Sequence, residues 1–177
     1  MKRVVSSIVA GLTMVTAAQA QDHVDGVYDG REIPGWVYSE EGAEAVGLPT
    51  WYPEGGAFAG ANCNLETVAL SASSQEWLEA FYAANPATVG AQLEASGVDW
   101  RQGYLTEVVS LHGRPAMRNL WAGAHEGQGF EAMMVSISGA EHLVIVRCSI
   151  QTGYLLPALQ AFYQFARDIE IETAAPE

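Results

Sequence analysis

The sequence predicts an α+β fold, an antiparallel β-sheet meander flanked by helices, an α/β sandwich. Three observations predict it. Between Trp100 and Ser149 apolar and polar residues alternate with a period of two in four runs, separated by short breaks. Before them, two segments with helical spacing meet at Asn85-Pro86, and after them the chain closes on one amphipathic helix. Short connections make neighbouring strands antiparallel, and a sheet carrying helices is the simplest way to bury the faces these patterns create.

The chain has 177 residues. Lys2 and Arg3 precede an uncharged apolar run from Val4 to Ala18, which ends in Ala18-Gln19-Ala20. That layout reads as a cleaved secretory signal peptide over 1–20. The run is shorter and more diluted than the roughly 20 apolar residues a bilayer span needs. No cysteine lies near the cleavage site to take a lipid. A periplasmic or secreted product without a membrane anchor is expected. Residues 21–34 are polar and acidic and read as a flexible leader, 35–172 as a single domain and 173–177 as a tail.

Within the domain, Gly35–Tyr38 reads as a short strand and Glu40–Gly47 as a loop or short helical turn. Leu48–Gly60, with Pro49, Pro53 and several glycines, reads as loop. Asn62–Leu70 alternates as a strand with Cys63 near its start. Ser73-x-x-Glu76 is a capping box opening a helix whose Trp77, Leu78, Phe81 and Tyr82 share a face. Pro86 suits the first turn of the next helix, which Val89 and Leu93 line and Gly97 ends. The four strands are Trp100–Leu111, Ala116–Trp121, Phe130–Ile137 and Glu141–Ser149. Leu155, Leu159, Phe162, Ala166 and Ile169 form the stripe of the closing helix, with Pro157 in its first turn.

Three of these segments carry a likeness. "VVSLHGRPAMR" is a strand, a Gly turn and an Arg-bearing strand. "GFEAMMVSISGAEHLVIVRCSI" is a hairpin through a Ser-Gly turn, and "LPALQAFYQFARDIEI" is an aromatic closing helix. Over about Asn62 to Ile171 this order of elements and turns resembles the PsbP-like α/β-sandwich superfamily, including its small bacterial secreted members. The resemblance implies accessory or binding modules without a shared active site. It offers no motif from which a functional residue carries over.

Charge narrows the function classes. Residues 21–177 keep six of the eight basic residues, all arginine, and all 21 acidic ones, so their net charge is 6 − 21 = −15. Nucleic acid is excluded as a partner because its binding needs phosphates neutralised by Lys and Arg, and anionic membranes are disfavoured for the same reason. An unknown protein or small-molecule ligand remains as the partner. The two cysteines, Cys63 and Cys148, read as one structural disulfide in an oxidising compartment. Neither Cys-x-x-Cys nor the spacing of a zinc site is present.

No catalytic residue is assigned and no cofactor is implied. The G-x-S-x-G elbow and the phosphate-binding Gly-rich loop are both missing. His112, His125 and His142 stand singly. Carboxylates are so abundant that any chosen pair is uninformative, which leaves a hydrolase assembled from scattered acids and histidines as the competing class. Candidate binding residues are Trp51 and Tyr52, as an aromatic contact or a lid over the core, and Arg114 and Arg118, as an anion clamp. Cleavage after Ala20 also gives Gln21-Asp22-His23 an α-amine, two amides and an imidazole. That is a square-planar nitrogen set for Cu(II) or Ni(II), against the plainer reading of an incidental histidine.

Overall fold

The computed structural model describes residues 21–56, 58–69, 74–95, 97–139 and 142–171. The expected signal peptide, Ser73 of the capping box and the expected tail lie outside them. β1 (His23–Val24) and β2 (Tyr28–Asp29) form a hairpin. β3 (Trp36–Tyr38), α1 (Glu40–Val46), β4 (Thr50–Pro53) and β5 (Asn62–Ala69) follow, then α2 (Ser74–Ala83) and α3 (Pro86–Ala95). The meander is β6 (Asp99–Leu111), β7 (Arg114–His125), β8 (Gln128–Ser138) and β9 (His142–Gln151). α4 (Leu155–Asp168) and β10 (Glu170–Ile171) end the described chain.

Seven strands form one antiparallel sheet in the order β3-β4-β5-β9-β8-β7-β6. The meander supplies four neighbours by tight hairpins, and β5 returns to pair with β9. Strand alternation gives the sheet two unlike faces. One carries Leu65, Val146, Met133 and Leu120, all buried under Phe162 and Phe165 of α4. Aromatic contacts close that layer: Trp36 meets Phe165 at 5.0 Å between ring centroids, and Trp51 meets Phe165 at 5.5 Å. The opposite face holds a smaller cluster, in which Trp77 and Phe81 of α2 cover Met117, Leu143 and Ile145.

Local chemistry explains the short elements. Asn85 caps α3, its Oδ1 accepting the N–H groups of Ala87 (3.1 Å) and Thr88 (3.2 Å), with Pro86 in the first position where no N–H is needed. Ser39 caps α1 by accepting the Gly42 N–H at 3.0 Å, and Gly47 ends it in the left-handed region at φ 74°. Gly42 is required by packing. A Cβ there would lie 2.9 Å from the Tyr52 ring, which places α1 over β4 on the α2/α3 side of the sheet.

Two expectations are corrected. Residues 21–34, expected as a flexible leader, are built into the fold. β2 pairs with both β1 and β10, and Tyr28 and Ile33 are buried in the main core. The polar composition hid this, because two buried side chains and a few backbone bonds suffice to hold a short segment. The second is the loop expected over Leu48–Gly60. It contains β4, whose Trp51 is 1% exposed, with its Nε1–H donating to the Gly30 carbonyl at 3.1 Å. Pro53 fits because it closes the strand's end beside the three-residue β3.

Candidate functional site

On the face opposite α4, α1 lies over β4, α3 lies over β6, and α2 covers Met117 of β7 and Leu143 and Ile145 of β9. The same face carries a polar strip. Pairing register places Thr50, Asn64, Arg147, Met134, Asn119 and Thr106 in one row across six strands. Five of these six side chains are polar.

Hydrogen bonds fix the row. Asn64 Nδ2 donates to Thr50 Oγ1 at 2.7 Å, and the Thr106 hydroxyl donates to Asn119 Oδ1 at 2.9 Å. Arg147 forms an ion pair with Glu66, one step along β5 on the same face. Glu66 is buried while the Arg147 side chain is 35% exposed, so the carboxylate belongs to the floor and the guanidinium reaches the surface. Ser149 Oγ donates to Asn62 Oδ1 at 3.1 Å beside the row. Asn119 is 1% exposed, and among the described residues its Nδ2 has no hydrogen-bond partner. The strip thus offers donors and acceptors together, with one spare buried donor.

The residues singled out in the sequence lie elsewhere. Trp51 lies on β4 within the core, 1% exposed, and presents no surface. Tyr52 points to the other face and is 41% exposed. Arg114 and Arg118 share a face of β7 but are held apart by separate partners. Arg114 Nη1 donates to the Ser138 carbonyl at 3.0 Å. Arg118 is ion-paired with Glu107 and stacked at 4.9 Å over the Tyr163 ring. The two do not converge into an anion clamp.

His23 lies between Asp22, at 3.8 Å, and Asp25, at 3.3 Å, and lines two open grooves of about 420 and 530 Å³. The Gln21 carbonyl accepts from the Tyr28 hydroxyl at 2.6 Å and the Asp22 carbonyl from the Gly30 N–H at 2.8 Å, which ties this segment to β2. Burial pushes the Tyr28 phenol well above its ordinary range. Among the described residues no three His, Cys, Asp or Glu side chains are grouped to hold a metal ion.

Cys63 and Cys148 are bonded to each other and face across β5 and β9 in register. Both are fully buried, on the α4 face directly behind the polar strip.

The arrangement of a seven-stranded sheet with α4 on one side and the shorter helices on the other has a counterpart among solved structures. Cyanobacterial PsbP (CyanoP) from Synechocystis sp. PCC 6803 superposes with a TM-score of 0.53 at 10% identity, over 78% of this chain and 82% of that one. The fold is PsbP-like. A Pseudomonas aeruginosa protein of unknown function, PA94, gives a TM-score of 0.47 at 13% identity over 66% of this chain and 73% of its own. LpqN of Mycobacterium tuberculosis, involved in cell envelope biogenesis there, gives 0.46 at 11% over 78% and 79%. No family model and no curated protein matches the chain. Within the PsbP-like fold, the polar strip was legible in part. Asn62, Asn64 and Glu66 alternate with Cys63 and Leu65, but only register shows that Arg147, Asn119 and Thr106 continue the same line.

Proposed function

We propose that this protein is an extracytoplasmic, non-enzymatic accessory protein that binds its partner on the polar strip of the face opposite α4. The observation that carries the reading is the register row from Thr50 to Thr106. It is a line of five hydrogen-bonding side chains on one face of the sheet, of which Asn64, Arg147 and Thr106 stay half-buried rather than enclosed. Polar side chains on a sheet face that helices could have covered cost apolar burial, and a binding surface is the use that offsets it. The buried disulfide supports an oxidising compartment. The charge of 6 − 21 = −15 over residues 21–177 favours a neutral or cationic partner over an anionic one at long range.

A benzophenone photo-cross-linker at Asn64, in cells making the protein, tests this. A discrete adduct is expected from Asn64, lost when Arg147→Glu is added, and none from a control position at Glu170. Equal adducts from both positions, or an Asn64 adduct indifferent to Arg147→Glu, end the proposal.

A further inference from the structure

We propose that β6 is a dimerisation edge, along which two copies of this chain join into one continuous sheet through Leu105–Leu111. Backbone geometry carries the first step. Among the described residues the only strand paired with β6 is β7. Their hairpin turns on His112 and Gly113, at φ 53° and 72°. Positive φ at both positions is the two-residue turn whose flanking pair, here Leu111 and Arg114, is hydrogen-bonded. Counting back through the register, Val109–Ala116 and Glu107–Arg118 are hydrogen-bonded pairs in their turn. Ser110, Val108 and Thr106 occupy the alternate positions, so their N–H and C=O groups point away from β7, out of the edge. Pro115 opposite Ser110 agrees with this, since that position gives no N–H to β6.

Natural edge strands are guarded against pairing by bulges, proline and lysine. In β6 the guards sit at one end. Both register shifts lie between Trp100 and Leu105, and α3 packs on that half, with Gly90 against the Trp100 ring and Pro86 against Gly103. From Leu105 to Leu111 the register is unbroken. This run has no proline or lysine, and its one charge, Glu107, is neutralised by Arg118.

The sequence of the run names the occupant. Leu-Thr-Glu-Val-Val-Ser-Leu has nearly the same character read in either direction. About a two-fold axis through Val108, antiparallel alignment sets Leu105 opposite Leu111 of the second copy, Thr106 opposite Ser110, and Val108 opposite itself. Glu107 faces Val109 of the second copy rather than its own counterpart. Leucine meets leucine, Val108 meets its own copy, hydroxyls meet hydroxyls, and no like charges oppose. Three outward pairs exchanging two bonds each give six backbone hydrogen bonds. The contact is isologous and closes at two copies.

The charge of each copy opposes association at long range. Screening shortens that repulsion from a reach of about 30 Å at 0.01 M salt to about 10 Å at 0.1 M, so the dimer strengthens with salt. Sedimentation velocity of the oxidised chain at low salt and at about 0.5 M NaCl reads this. The dimer fraction is expected to rise with salt. Ser110→Pro removes an outward N–H that β7 does not use, and is expected to sediment as a monomer at both salts. Ser110→Lys, which leaves the backbone intact, is expected to do the same and decides the matter if the proline variant fails to fold. A wild-type chain monomeric at both salts, or a Ser110→Lys variant as dimeric as wild type, overturns the proposal.

Discussion

Glu131 Oε2 accepts the Leu155 backbone N–H at 3.0 Å, and so a strand residue closes the N-terminus of the closing helix. The same oxygen accepts the Gly153 N–H at 2.9 Å, while Oε1 accepts the Tyr104 hydroxyl at 3.0 Å. Tyr154, at the capping position itself, makes no side-chain cap bond. α4 thus takes its cap from β8, and the carboxylate also meets the positive end of the helix dipole. Glu131→Ala leaves the first helix N–H, of Leu155, and the Gly153 N–H before it without that acceptor, and a loss of about 1–2 kcal/mol is expected. Urea unfolding measures it, and Glu131→Gln, which keeps an acceptor, loses less.

The disulfide joins residues 85 apart in sequence. Closing a loop of that order constrains the unfolded chain by about 4–5 kcal/mol. The double variant Cys63→Ala, Cys148→Ala is expected to lose most of that in urea unfolding. Because both sulfurs are buried, dithiothreitol is expected to leave the native bond intact and to reduce it quickly once denaturant is added.

Trp51 and Tyr52 are adjacent in sequence and opposite in role. Trp51→Ala removes a core ring together with the bond to Gly30 that anchors the N-terminal segment, for an expected loss of about 3–5 kcal/mol. Tyr52→Ser, on the exposed face, is expected to cost much less. Thermal unfolding of the two variants side by side separates them. Equal losses would contradict the placement of the strand.

That pair also marks how far the sequence could be read. Periodicity located α2, α3, the four meander strands and α4, because each has enough residues to show a face. β4 has four residues among prolines and glycines, and β1 and β2 have two each. No period is visible at that length, so tertiary pairing alone creates them. The breaks at Gly113 and between Gly123 and Gly129 are legible as turns, but each shrinks to two residues, His112-Gly113 and Glu126-Gly127, with the strands running up to them. The candidate site was hidden for a different reason. Its residues come from six strands, and alternation assigns a face without saying which neighbour shares a row.

Asp29 provides a check by pH. The Arg31 side chain, hydrogen-bonded to its carboxylate, holds Asp29 down at about 2. A depressed carboxyl contributes stability above its unfolded pKa, near 3.9, and loses it as pH falls from about 4 towards 2. The pair is exposed, so solvent screens its effect on folding. Carboxyl NMR is the suitable readout. Arg31→Gln is expected to return the Asp29 midpoint to near 4 and to leave the melting temperature unchanged.

Asn119 is the place where the binding reading and folding stability pull apart. Its amide nitrogen is buried without a partner among the described residues, and its oxygen is held by the Thr106 hydroxyl. A buried polar group left unmatched costs about 1–3 kcal/mol, whereas replacing both members of a polar pair by apolar residues of similar shape is neutral or stabilising. Asn119→Leu with Thr106→Val is therefore expected to raise the unfolding free energy by about 1 kcal/mol. A strip maintained for a partner makes a second demand on the same variant, a weaker Asn64 photo-adduct in a more stable protein. Higher stability with an undiminished adduct would mean that the row is a packing accident. Lower stability would mean that Asn119 has a structural partner in solution, and the strip would lose the spare donor on which its binding chemistry draws.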